Sequence, residues 1–120
     1  MISVLHIGLP LEPPWLTPED AQKIAARLAG IRQRMEAAGF KYTVMHASPD
    51  HGLSEFQHCL RAEAVDAVLI GGGVAGNPNL ATFKQQIIDT ARAEAPSARV
   101  LDFDHSVDVP VLIARTFGIS

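Results

Sequence analysis

Apolar positions in this chain switch between two spacings, and the switch repeats along its whole length. Ile2 to Gly8 is a short, mostly apolar run that reads as a first strand. A stretch with Pro10, Pro13, Pro14 and Pro18 then forbids regular structure as far as Thr17, which suits an N-cap with Pro18 at the first helical position. Ala21, Ile24, Ala25, Leu28, Ile31, Met35 and Ala38 recur at helical spacing, and Gly39 suits the end of that helix. Gly30 within it is a small penalty and a candidate close-packing point. Lys41 to His46 alternates as a second strand, and Leu53, Phe56, Leu60 and Ala64 mark a second amphipathic helix. Asp66 to Ile70 is a continuous apolar third strand. Leu80, Phe83, Ile87, Ala91 and Ala95 give the inner face of a third helix, capped by Asn77 or Asn79 and stopped by Pro96. Arg99 to Phe103 reads as a fourth strand, and Ser106 or Asp108 caps a short last helix through Phe117, with Gly118 after it.

Strict strand–helix alternation predicts a parallel sheet with right-handed crossovers and helices on both faces. The first and third strands are the most continuously apolar, so they belong in the middle. The second carries Lys41, Thr43 and His46 and the fourth carries Arg99 and Asp102, which suits edges. The expected fold class is therefore α/β: a single three-layer domain over residues 1–120, with a four-stranded parallel sheet in the order 2-1-3-4. This is a flavodoxin-like or Rossmann-like arrangement. Its switch point lies between strands one and three, where ligands are usually held.

That prediction directs attention to the turn after the third strand. Gly71, Gly73 and Gly76 match G-x-G-x-x-G after a strand and before a helix. Three features separate it from the dinucleotide fingerprint. It sits on the third strand; Asn77-Pro78 places the helix start after the last glycine; and Asp102, the nearest acid at a following strand end, lies later than the roughly 20 residues expected for a ribose contact. A plain alternative is a turn whose glycines supply positive φ and close helix packing. The expected ligand-binding residues are Gly8, Gly71, Gly72, Gly73, Gly76 and Asn77, holding an anionic or nucleotide-like molecule; no particular cofactor is implied.

Charge narrows the choice of ligand. Ten basic against thirteen acidic side chains give a net charge of −3, which offers no electrostatic reason to expect nucleic acid or an anionic membrane as partner. The basic residues fall on expected helices or the starts of strands, so a triphosphate has no evident partner at the carboxyl end of the sheet. The apolar segment at residues 1–9 reads as a strand and not a signal peptide, and no run approaches the roughly 18 apolar residues that span a bilayer. A cytoplasmic protein is the expectation. Cys59 is the one cysteine, so it can form no disulfide within the chain, and on the second helix it reads as a packing residue.

Histidine and carboxylate gather at the same rim. His46 and His51 flank the end of strand two with Asp50 between them; Asp102, Asp104 and His105 follow strand four, and His6 lies in strand one. His46, His51, Asp104 and His105 are candidates for acid–base work in a small hydrolase or isomerase. With neighbouring strands about 4.8 Å apart, the groups on strands two and four lie too far apart to share one metal, so no metal site is expected. Trp15, among prolines, would cover a pocket, meet a partner chain or plug the sheet end. A non-catalytic homo-oligomeric interaction module is the alternative, because strand four presents Val100, Leu101 and Phe103 at an edge.

Active receivers of the response-regulator type need an acidic pair after strand one and an Asp after strand three, where this chain has His6-Ile7-Gly8 and Gly71-Gly72-Gly73. A flavodoxin needs a hydroxyl-rich phosphate loop where this chain has Leu9-Pro10-Leu11-Glu12-Pro13-Pro14. The run Ala67-Val68-Leu69-Ile70-Gly71-Gly72-Gly73, with Asn79-Leu80, Phe83, Ile87-Ile88 and Ala95-Pro96-Ser97-Ala98, resembles a group of small bacterial α/β proteins of similar length. The resemblance covers roughly the third β-α-β unit and implies fold and length only, since no activity attaches to that group. Asp102-Phe103-Asp104-His105 departs from the Asn-rich loop of the group.

Overall fold

The most apolar strands do take the middle of the sheet. The computed structural model describes residues 2–11, 16–49, 52–103 and 107–118. Its strands are β1 (Ser3–Gly8), β2 (Lys41–His46), β3 (Ala67–Ile70) and β4 (Arg99–Asp102), all parallel, in the order β2-β1-β3-β4. Every residue of β3 is fully buried, whereas β4 is exposed at both ends and β2 at Lys41, Thr43 and His46. Continuous apolarity and central placement thus have one cause: both faces of an inner strand are covered.

Strand alternation divides the core into two layers. Leu5, Ile7, Val68 and Ile70 pack under α2 (Gly52–Ala62) and α4 (Ala81–Glu94) through Phe56, Phe83 and Ile87. Val4, Tyr42 and Leu69 pack under α1 (Pro18–Ala37) and α5 (Val109–Phe117) through Ile31, Met35 and Ile113. Burying each such large side chain contributes about 1.5–3 kcal/mol, so these layers dominate the stability. In α1, Thr17 Oγ1 accepts from the Asp20 N–H at 3.2 Å, and Pro18 follows as expected. The chain leaves α1 through Gly39 at φ 84°.

Two local expectations are corrected. A single helical turn, α3 (Gly72–Ala75), opens inside the glycine motif instead of after it. Val74 is fully buried and anchors that turn, while the Gly71 carbonyl accepts from the N–H groups of Val74 and Ala75 at 3.0 and 2.9 Å. It cannot run on, because Pro78 holds Asn77 in an extended conformation (φ −105°, ψ 110°). Asn77 then caps a 3-10 turn, Pro78–Leu80, through the Asn79 N–H, and this leads into α4. At the start of α5, Asp108 occupies the cap position without using its carboxylate there. Arg34 of α1 takes both oxygens instead, at 2.7 and 2.9 Å. Ser106 lies outside the described residues.

Candidate functional site

The switch point is built by the ends of β1 and β3. The direction of winding reverses there: β2 lies on one side of β1 and β3 on the other, so the loops after β1 and β3 diverge and leave a crevice. Gly71 continues the line of β3, its N–H donating to the Ile7 carbonyl at 2.8 Å. Its φ of −62° is open to any residue, and among the described residues positive φ occurs at Gly39 and Gly118. The positive-φ explanation of the glycine turn is therefore corrected. Close approach is the reason at Gly71: a Cβ there would lie 3.2 Å from both His6 Nε2 and the Ile7 carbonyl oxygen.

A cleft of about 120 Å³ lies on the α1 side of this junction. Its walls are apolar, from Leu9, Leu11 and Leu16 of the connection after β1, Ile24 and Leu28 of α1, and Val44 of β2. Gly8 and Gly71–Gly73 bound it with bare backbone, and three polar side chains reach it: His6, Arg27 and His46. Hydrogen bonds made by the N–H groups of Gly72 and Gly73 to described residues are absent, as is usual in a first helical turn.

The expected site residues separate into groups. Gly8, Gly71, Gly72 and Gly73 come together at the cleft. Asn77 is committed to capping and Gly76 to ending α3, its N–H donating to the Gly72 carbonyl at 2.9 Å; neither lines the cleft. His46, opposite Gly8 in register, does line it. Its Nδ1 donates to the Leu9 carbonyl at 3.2 Å, so a carbonyl, and not the carboxylate that acid–base chemistry calls for, orients the ring. His51, Asp50, Asp104, His105 and Trp15 lie outside the described residues. Asp102 pairs in register with Ile70 and forms an ion pair with Lys84 of α4 at 2.7 Å, on the sheet face away from the cleft. That position removes it as a ribose acceptor at this crevice. Cys59 packs against the α2–α4 core, and His58 is exposed.

Two residues gain importance from the structure. Arg27, 14 residues before β2 and 19 after β1, reaches the cleft beside Ile24 and Leu28 because this part of α1 lies by the end of β1. Helical spacing could have placed it beside Ile24 and Leu28, but the sequence could not show where that stripe ended up. His6 is 4% exposed, on the same sheet face as Val4 and Leu69, with its ring edge-on to Phe103 at 5.7 Å between centroids. Among the described residues no group of three His, Cys, Asp or Glu side chains could hold a metal ion.

The fold is shared with a de novo designed Rossmann fold protein, over 98% of this chain and 95% of that one, at 19% identity and a TM-score of 0.51. Rossmann-like α/β architecture is thereby shown, and nothing about ligand or activity follows from it. No protein-family model matches the chain, and neither does any curated protein. Among the described residues no helix is long and apolar enough to cross a membrane.

Proposed function

We propose that this chain binds a small anionic molecule in the cleft at the carboxyl ends of β1 and β3. The observation that carries the reading is the cleft's composition. Apolar walls surround a backbone-lined turn and one cation, Arg27, and no Asp or Glu lines it among the described residues. Such a mixture of apolar surface with a few converging donors is what small-molecule sites use. Arg27 makes no ion pair with a described residue, unlike Lys23, Arg34, Lys41, Arg61 and Lys84. The volume of about 120 Å³ favours a ligand well below nucleotide size, since drug-sized ligands occupy roughly 300–1,000 Å³.

Thermal-shift screening with short carboxylates, sugar phosphates and nucleotides tests this. Small carboxylates or phosphates are expected to raise the melting temperature, and Gly73→Val to abolish that rise. A Cβ at Gly73 would lie an ordinary 3.7 Å from Leu9 Cδ1, so the variant narrows the cleft while changing stability by less than about 1 kcal/mol. Melting that is indifferent to every ligand class would refute the reading.

A further inference from the structure

His46 has a second ring nitrogen that the binding reading leaves idle. Its Nδ1 lies 3.2 Å from the Leu9 carbonyl oxygen, and a carbonyl can only accept, so Nδ1 carries the hydrogen. In the neutral ring Nε2 is then a bare acceptor, because one imidazole nitrogen donates and the other accepts. Among the described residues nothing donates to Nε2, and His46 is exposed, so that lone pair is open to a ligand. The ring is held at the end of β2, opposite Gly8, and its holder Leu9 lines the same cleft. Arg27 enters that cleft from α1. A cation and a hydrogen-bond acceptor thus converge, from separate elements, on one small space with apolar walls.

We propose that this cleft takes short hydroxy acids: a carboxylate, a hydroxyl beside it and a brief hydrocarbon tail. Arg27 holds the carboxylate, the hydroxyl donates to His46 Nε2, and the tail lies among Leu9, Leu28 and Val44. The proposal rests on the binding reading above and names its ligand class. A hydroxyl suits His46 because it donates to a bare nitrogen and brings no charge. An ammonium group in its place would meet the like charge of Arg27, and the described lining has no carboxylate to receive it. A plain acid leaves Nε2 to water and forgoes that hydrogen bond. Size agrees, because a 150 Å³ apolar cavity holds a benzene ring, so about 120 Å³ suits an acid of about six or seven heavy atoms.

The test uses the ¹⁵N-labelled chain at pH 8 with three probes of one carbon skeleton: 2-hydroxybutyrate, butyrate and 2-aminobutyrate. Long-range proton–nitrogen correlation reads the His46 tautomer directly, and hydrogen on Nδ1 alone is expected. 2-Hydroxybutyrate should bind about three- to tenfold more tightly than either other probe, the worth of one hydrogen bond. His46→Leu, with its fold checked by the amide spectrum, should bring 2-hydroxybutyrate and butyrate to within about twofold of each other, a loss of selectivity that general loosening would not produce. Arg27→Met should weaken both acids. Hydrogen on Nε2, no preference for the hydroxy acid over butyrate or 2-aminobutyrate, a preference that survives His46→Leu, or acid binding indifferent to Arg27→Met would each overturn the proposal and leave small-molecule binding standing. If no probe binds, the hydroxy-acid proposal is overturned, and the thermal-shift screen then decides the broader reading separately.

Discussion

Glycine meets different physical needs at different positions of this chain, and the residue type alone does not say which. Gly52 opens α2 against the end of β2, and a Cβ there would fall 2.2 Å from the Ala47 Cβ. Both residues are buried, so neither can step aside. Gly52→Ala is therefore expected to destabilise by about 1–3 kcal/mol in urea unfolding, the usual cost of overpacking. An unchanged midpoint would show that β2 and α2 have room between them. Gly30 is the opposite case. Its closest neighbour would be the Arg34 guanidinium tip at 3.1 Å, the far end of a flexible side chain. Gly30→Ala should stabilise by about 0.5–1 kcal/mol, through helix propensity alone. The close-packing role that the sequence suggested for Gly30 is absent, because helix α5 approaches α1 elsewhere, through Ile31, Met35 and Ile113.

At the scale of elements, ion pairs tie helices of one layer together. Glu94 of α4 accepts from Arg61 Nε and Nη2 at 2.8 and 2.9 Å, and from the Gln57 amide at 2.9 Å, both residues of α2. Arg61 foremost, and then Gln57, hold the Glu94 carboxyl below the ordinary glutamate value. A carboxyl depressed in the folded state contributes stability that is present at neutral pH and lost as pH falls through its folded value. Glu94→Gln should accordingly lower stability at pH 7 and flatten the acid limb of a stability–pH curve as pH falls through and below the ordinary glutamate range. Curves of equal slope would mean that the pair contributes nothing beyond solvated charges, as many exposed pairs do. The expected helix after the glycine motif shows what periodicity misses. Gly72–Ala75 is too short to display a spacing, and only the burial of Val74 makes it a turn. Asn77-Pro78, by contrast, was readable as a cap because proline restricts its neighbours in any context.

At the scale of the molecule, strand order was legible because burial on both faces leaves a compositional mark. Val68, Leu69 and Ile70 could only be central, and the polar positions of β2 and β4 only peripheral. The cleft was half legible. Gly8 and Gly71–Gly73 follow from the switch-point rule once the order is known. Arg27, His6 and Leu28 do not, since their convergence depends on how α1 crosses the sheet and on which face β1 presents His6. Of the strand-end histidines, His46 is described, with its ring on the Leu9 carbonyl, and the buried histidine of β1, His6, lies beside Gly71.

The central claim is that the cleft between α1 and the glycine turn is where this protein meets a small ligand. Titration of the ¹⁵N-labelled chain with acetate, and separately with inorganic phosphate, followed by amide chemical shifts, tests it most directly. The account predicts saturable shifts concentrated at Gly8, Gly71, Gly72, Gly73 and the Ile24–Leu28 turn of α1, with β4 and α5 unmoved. Shifts that gather on β4 and α5 instead, or none at saturating ligand, would contradict it.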